Sequence, residues 1–149
     1  MTDEFYMRRA IELAKKGRGW TNPNPMVGAV IVKNGSIIGE GYHEKCGELH
    51  AERNAIASLT ESAEGATLYV TLEPCCHYGK TPPCTEAILE QKIARVVIGS
   101  RDPNPKVSGK GAKILREAGV RVEEDFLREE CDALNPAVSY THLTLPTIA

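Results

Sequence analysis

Two stretches of the sequence decide the fold and the chemistry of this chain: His50-Ala51-Glu52 and Pro74-Cys75-Cys76-His77-Tyr78-Gly79-Lys80-Thr81-Pro82-Pro83-Cys84. His50, Cys75 and Cys84 offer one imidazole and two thiolates, which are three of the four ligands that a tetrahedral zinc ion takes. A zinc site with three protein ligands keeps its fourth position open for water, as catalytic sites do. Glu52 follows the histidine by two residues, where it can move protons on that water without being a ligand.

Helices and strands alternate around these stretches. Apolar residues recur at helical spacing from Thr2 or Asp3 to Gly17, and a Pro/Asn-rich loop then leads into a buried strand over 27–33. Asn34-Gly35 predicts a two-residue hairpin. The elements predicted after it are strand 36–42, helix 49–59, a strand around 68–72, a helix opened by Pro82-Pro83, strand 95–100, helix 110–118, strand 120–123 and helix 128–134.

The last three strands are predicted to be parallel, because a single helix separates each from the next and such crossovers are right-handed. The result is an α/β fold with a five-stranded mixed sheet and helices on both faces. His50 and Glu52 fall in the first turn of one helix, and Cys84 falls in the first turn of another. Cys75 follows the C-terminal end of a strand, the edge where open α/β sheets bind ligands. We therefore expect the zinc residues to converge at that edge.

Bulk properties narrow the function classes. The chain has 149 residues, enough for one domain, and its 42% hydrophobic and 26% charged residues are those of an ordinary globular protein. Its net charge of −2 gives no general attraction to nucleic acid. Its apolar runs are too short for a membrane span, and its acidic start lacks a signal-peptide pattern. Five cysteines, an odd number, argue against a disulfide framework. We expect a cytoplasmic protein.

The same motifs resemble a known family. His50-Ala51-Glu52 with Pro74-Cys75 resembles the cytidine-deaminase-like superfamily, whose members mostly have two residues between the cysteines. Here eight residues separate Cys75 from Cys84, and the segment that ends in Pro82-Pro83-Cys84 looks like the riboflavin-specific pyrimidine deaminases. The resemblance runs from about Asp3 to Asn135. Two further stretches match that family: Asn24-Pro25-Met26-Val27-Gly28 and Arg101-Asp102-Pro103-Asn104-Pro105.

This resemblance implies a fold and a reaction. The fold is the cytidine-deaminase-like three-layer α-β-α sandwich. The reaction is the zinc-dependent hydrolytic deamination of 2,5-diamino-6-(5-phosphoribosylamino)pyrimidin-4(3H)-one to 5-amino-6-(5-phosphoribosylamino)uracil in riboflavin biosynthesis. Zinc would be held by His50, Cys75 and Cys84, with Glu52 as the catalytic acid and base. The family also implies a homo-oligomer, and its members often continue into a C-terminal reductase domain.

Five further residues are candidate substrate contacts through the resemblance: Asn24, His43, Lys80, Asp102 and Asn104. Each also has a simpler interpretation. Asn24 lies between two prolines and can serve turn chemistry alone, while His43 and Lys80 can be solvated surface residues. Asp102 and Asn104 can initiate a turn before Gly109. Because the implied substrate is an anionic ribotide, we interpret Lys80, Asp102 and Asn104 as ribose-phosphate contacts, and Asn24 as facing the pyrimidine.

The end of the chain differs from the rest. Residues 136–149 contain no Asp, Glu, Lys or Arg and show no clear period. We predict that residues 1–135 form the deaminase domain and that 136–149 are a tail of truncated or foreign sequence.

Two alternative functions stay open. The first is a zinc deaminase that acts on another nucleoside, nucleotide or transfer RNA base, against which the long cysteine spacing and the lack of a basic excess both count. The second is a non-catalytic interaction module that zinc stabilises. That alternative needs a fourth protein ligand, which Cys76 or His77 could supply.

Overall fold

The computed structural model describes residues 3–16, 27–42, 51–73, 84–100 and 109–133, with the side chains of Cys84 and Asp132 outside that description. The elements follow the predicted order: α1 (Asp3–Lys15), β1 (Gly28–Lys33), β2 (Ser36–Tyr42), α2 (Ala51–Ala57), β3 (Thr67–Leu72), α3 (Cys84–Glu90), β4 (Arg95–Ser100), α4 (Lys110–Glu117), β5 (Arg121–Glu123) and α5 (Arg128–Asp132). Several helices end one or two residues before their predicted limits, as frayed termini do. Within these ranges no helix is long and apolar enough to cross a bilayer.

The described strands form one five-stranded sheet in the order β2-β1-β3-β4-β5. The β3–β4 and β4–β5 pairs are parallel, as predicted, and β1 pairs antiparallel with both β2 and β3. The hairpin between β1 and β2 is also confirmed. Asn34 and Gly35 have φ values of 53° and 78°, the left-handed conformation that a type I′ turn requires at both positions.

Alternation along the strands divides the core between the two faces of the sheet. On one face Ile31, Leu68 and Val96 pack against α2, α3 and α4. On the other face Val30, Tyr69 and Val97 pack against α1 and α5. Each central strand is buried on both sides, as expected of a sheet that lies between two helical layers. The three-layer α-β-α sandwich is therefore confirmed.

Candidate active site

The ends of four strands lie together at one edge of the sheet. Gly28, the first residue of β1, pairs with Tyr42, the last residue of β2. At the ends of the two central strands, Leu72 pairs with Ser100. Because β1 is antiparallel to β3, with Ala29 opposite Val70, all four ends lie at the same edge. Segments 17–26, 43–50, 74–83 and 101–108 are joined to the sheet at these ends, and they carry most of the candidate residues in the sequence.

The candidate residues themselves lie mainly outside the described part of the chain. This holds for His50, Cys75, Asn24, His43, Lys80, Asp102 and Asn104. The backbone of Cys84 is described, and it begins α3 as predicted. Among the residues that the structure describes, no group of three or more His, Cys, Asp and Glu side chains could hold a metal ion. The zinc ligands and the substrate contacts therefore stay predictions.

Glu52 is the candidate whose side chain the structure describes. It lies in the first turn of α2, as predicted, and only 4% of it is exposed. Carboxylates are rarely buried to this extent unless they are paired or functional. This buried position at the sheet edge where the candidate segments are joined fits a residue that exchanges protons with a bound substrate.

Helix α2 lies against β2 with almost no space between the two backbones. A Cβ atom added at Gly41 would be 2.3 Å from the amide nitrogen of Ala55 and 2.6 Å from the carbonyl oxygen of Ala51. In addition, the Asn54 side-chain amide donates a 2.8 Å hydrogen bond to the carbonyl of Tyr42, the last residue of β2. These contacts fix the start of α2, and with it Glu52, against the edge of the sheet.

Strand β1 and the C-terminal end of β3 are joined by a side-chain contact. The amide of Gly28 donates a 3.1 Å hydrogen bond to the hydroxyl oxygen of Thr71, which is itself buried. Segment 17–26, which contains Asn24, precedes β1 in the sequence. The entry into β1 is therefore held beside the strand that leads toward Cys75.

Glu73 is a buried carboxylate that the sequence interpretation missed. Only 6% of it is exposed, and its Oε1 atom accepts a 2.9 Å hydrogen bond from the Gly109 amide. Its Oε2 atom accepts hydrogen bonds of 2.9 Å from Gly111 and 3.3 Å from Ala112. A signal for it was present, because Gly109 is the N-cap of α4 and a glycine has no side chain to cap the helix. An acceptor had to come from elsewhere in the chain.

A different network joins α1 to the other end of the central strands. The guanidinium of Arg95 donates to both carboxylate oxygens of Asp3, at 3.1 and 2.8 Å, and to Glu123 at 2.6 Å. The Tyr69 hydroxyl donates to Asp3 at 2.5 Å. The hydrogen bond from Arg95 is the main cause that lowers the pKa of Asp3, and burial is the main cause that raises the pKa of Tyr69.

The family comparison agrees with this architecture. Residues 1–100 match the model of the cytidine and deoxycytidylate deaminase zinc-binding region. The chain therefore belongs to the cytidine and deoxycytidylate deaminase family. Within it, the chain is similar to the deaminases of riboflavin biosynthesis. A diaminohydroxyphosphoribosylamino-pyrimidine deaminase of Buchnera aphidicola is 54% identical over 135 residues, which are 91% of this chain and 92% of that protein.

Longer relatives and solved structures are also similar to this chain, and several of them are riboflavin biosynthesis proteins. The riboflavin biosynthesis protein RibD of Actinobacillus pleuropneumoniae is 66% identical over 136 residues, which are 91% of this chain but 36% of that protein. The structure of Acinetobacter baumannii RibD superposes with a TM-score of 0.90 and 50% identity, covering 93% of this chain and 39% of the other. The chain thus spans less than half the length of these RibD relatives. A dCMP deaminase of cyanophage S-TIM5 is more distant, with a TM-score of 0.65 and 28% identity over 83% of this chain and 99% of the other.

Proposed function

We propose that this chain catalyses the zinc-dependent hydrolytic deamination of 2,5-diamino-6-(5-phosphoribosylamino)pyrimidin-4(3H)-one in riboflavin biosynthesis. The observation that carries the proposal is the sheet edge at Gly28, Tyr42, Leu72 and Ser100, to which every candidate segment is joined. The buried carboxylate of Glu52 lies on the helix that begins there. The 54% identity to a deaminase named for this substrate supports the substrate class.

The zinc ion in this proposal is held by His50, Cys75 and Cys84. One imidazole and two thiolates form a donor set that zinc prefers, and the family model is that of a zinc-binding region. When bound, zinc lowers the pKa of a water molecule in its open position toward neutrality. The alternative of a non-catalytic module would need a fourth protein ligand, and it is disfavoured because a relative of 54% identity is named as a deaminase.

Glu52 moves the protons of the reaction. Its carboxylate takes a proton from the attacking water, whose oxygen adds to the carbon that bears the amino group, and passes that proton to the ring nitrogen. Glu52 then takes the proton of the newly added hydroxyl group and passes it to the amine, which leaves as ammonia while the carbonyl forms. Burial of Glu52 keeps bulk water from competing for these protons.

The substrate is oriented in this proposal by Asn24, His43, Lys80, Asp102 and Asn104. A ribose 5-phosphate needs a cation and several hydrogen-bonding groups around it. Lys80 provides the cation within the long segment between Cys75 and Cys84, and Asp102 and Asn104 provide contacts beyond β4. We further propose that residues 1–135 form the deaminase domain, that 136–149 contribute little to it, and that the protein is a cytoplasmic homo-oligomer.

A substrate panel tests the proposed reaction. The purified chain is loaded with zinc, and ammonia release is measured from the diaminopyrimidine ribotide, cytidine, dCMP, adenosine and transfer RNA. We expect the ribotide to have the highest kcat/KM. A higher kcat/KM with cytidine or dCMP would instead support the alternative deaminase, and zinc bound without turnover of any substrate would support the non-catalytic module.

Lys80→Ala tests the phosphate contact. Loss of a charge-assisted hydrogen bond of this kind should lower kcat/KM for the ribotide roughly ten- to a hundredfold. The dephosphorylated analogue should be affected far less. Lys113→Ala, which removes an exposed lysine from α4, is the matched control and should leave both values unchanged. Equal losses with both substrates would mean that Lys80 does not bind the phosphate.

A further inference from the structure

We propose that Glu73 is a positioning residue, which fixes Ser100 and Gly109, the residues that flank 101–108, relative to the end of β3 from which the proposed metal-binding segment continues. The inference rests on the proposed function, because Asp102 and Asn104 are the proposed ribose-phosphate contacts and Cys75 a proposed zinc ligand. Glu73 itself touches neither metal nor substrate in this proposal. It acts by setting the distance between the two segments that do.

The first argument is that Glu73 binds both ends of segment 101–108. Its main-chain N–H donates a 2.9 Å hydrogen bond to the carbonyl of Ser100, the residue before the segment. Its carboxylate accepts a 2.9 Å hydrogen bond from the amide of Gly109, the residue after it. The entry and the exit of the segment are therefore held by a single residue.

The second argument is that the carboxylate replaces the cap that α4 lacks. The first amides of a helix have no partner within the helix, and Gly109 offers no side-chain acceptor. Glu73 accepts the amides of Gly111 and Ala112 in that first turn, where the helix dipole favours a negative charge. Because the carboxylate is buried, water cannot easily replace these bonds when they are lost.

The third argument concerns the next residue of the chain. Glu73 precedes Pro74, and a residue before proline is confined to extended backbone conformations. Its main chain therefore has little freedom to compensate for a shift of its side chain. A displacement of α4 or of Ser100 is passed to the start of the segment that carries Cys75. In this way Glu73 joins the proposed metal and substrate segments.

A kinetic comparison separates positioning from simple stabilisation. If Glu73 only stabilised the fold, its loss would reduce the amount of folded enzyme, so that Vmax would fall while KM stayed constant. If it positions Asp102 and Asn104, KM for the ribotide must rise, and the dephosphorylated analogue must be affected less. Zinc content is measured in every sample, so that metal loss is not mistaken for either effect.

The experiment compares Glu73→Gln with Glu117→Gln, which replaces an exposed carboxylate at the far end of the same helix. The amide of Gln can accept hydrogen bonds at only one of its two positions and carries no charge. We expect KM for the ribotide to rise roughly tenfold in Glu73→Gln and to stay at the wild-type value in Glu117→Gln. A lower Vmax with unchanged KM would overturn the proposal.

Hydrogen exchange provides a readout that needs no activity. Of the amides of Gly109, Gly111 and Ala112, those that face the nitrogen of the introduced side-chain amide should exchange at least about tenfold faster in Glu73→Gln than in Glu117→Gln, because that nitrogen cannot accept a hydrogen bond. Equal exchange rates would overturn the proposal even if the wild type failed to deaminate the ribotide. If the zinc-loaded wild type does not deaminate the ribotide, that result would count against the proposed function alone.

Glu73→Asp serves if Glu73→Gln does not fold. Aspartate keeps the charge but is one methylene shorter, so it cannot reach the amides of Gly109 and Gly111 without moving the chain. The same rise in KM for the ribotide is expected, with zinc content retained. Wild-type KM values for both substrates in Glu73→Asp would reject the positioning role.

Discussion

Strands β3 and β4 hold a carboxylate at each of their two ends, and the two carboxylates are satisfied in different ways. Asp3, bound by Tyr69 of β3 and Arg95 of β4, receives its hydrogen bonds from side chains. Glu73, which follows β3 and contacts Ser100 of β4, accepts hydrogen bonds from the backbone amides of Gly109 and Gly111. A side-chain network can be altered without moving the main chain. Hydrogen bonds to main-chain groups, such as those of Glu73, cannot be altered in this way. The two ends of the strands should therefore respond differently to substitution.

We infer that the two ends of β3 and β4 have different roles. The end at Asp3 joins helix α1 to the sheet, and it is opposite to the end at Leu72 and Ser100. The end at Glu73 joins three main-chain segments that lead to the proposed metal and substrate contacts. We therefore expect changes at the first end to alter stability alone, and changes at the second to alter turnover.

Glu52→Gln should give the largest effect on the catalytic side. The substitution preserves shape but removes the group that exchanges protons, so kcat should fall roughly 10²–10⁴-fold. Zinc content and the melting temperature should stay near those of the wild type, because Glu52 is not a proposed ligand. Glu64→Gln, at an exposed position, is the control and should be fully active. Zinc loss in Glu52→Gln would contradict the assigned role, and retained turnover would contradict the mechanism.

Gly41→Ala should give an intermediate effect, because it moves the helix that carries Glu52. The added Cβ would meet the α2 backbone at 2.3 Å from the Ala55 nitrogen, which no side-chain rotation can relieve. Overpacking of this kind costs about 1–3 kcal/mol of stability. Displacement of Glu52 by about 1 Å should also lower kcat/KM roughly ten- to a hundredfold.

Gly39→Ala is the matched comparison for that prediction. Its Cβ would also meet the backbone of α2, at 2.6 Å from the Ala55 carbonyl oxygen, but two residues farther along β2 from the proposed catalytic edge. Both variants should lose stability, whereas Gly41→Ala should lose more activity. If the two lose activity equally, the position of α2 at Gly41 has no special role in catalysis.

The sequence predicted most of the fold because the relevant signals are local. Asn34-Gly35 fixed the hairpin, and the alternation of strands and helices fixed the parallel half of the sheet. It did not predict the pairing of β1 with β3, because that contact joins strands that are distant along the chain. The position of Glu52 in the first turn of α2 was predicted from the helix expected over 49–59 and is confirmed.

The contacts that hold the site together were harder to predict. Glu73 accepts hydrogen bonds from residues more than thirty positions away, and Gly109 indicates only that α4 lacks a side-chain cap, not which residue replaces it. Likewise, Gly41 resembles any strand glycine until α2 is placed against it. Metal ligands are recognised by residue type and spacing, whereas positioning residues are defined by packing. The proposed zinc ligands were therefore named from the sequence, and the proposed positioning residue Glu73 was not.

Asp3→Asn should give the smallest effect and only on stability. The carboxylate has 35% of its side chain exposed, so solvent screening limits its ion pair with Arg95. We expect a loss of about 1 kcal/mol in the free energy of unfolding at neutral pH, with kcat and KM unchanged. Glu4→Gln is the matched control, since it removes the other carboxylate from the first turn of α1, where 57% of the side chain is exposed. A change in kcat or KM in Asp3→Asn would contradict the inference that this end of the strands affects stability alone.

The pH dependence of that stability difference sharpens the test. The hydrogen bond from Arg95 lowers the pKa of Asp3 in the folded protein below its ordinary value of 3.8. A lowered folded-state pKa means that the stabilisation is fully present above pH 3.8 and is lost as the pH falls through the folded value. The difference in unfolding free energy between wild type and Asp3→Asn should therefore be constant near neutrality and shrink below about pH 4. The hydrogen bond from Arg9 also lowers the pKa of Glu40. Because Glu40 is present in both proteins, its contribution to the pH dependence cancels in the difference. The contribution of metal release cancels for the same reason. A difference that persists at low pH would show that the charge of Asp3 is not what stabilises this end of the sheet.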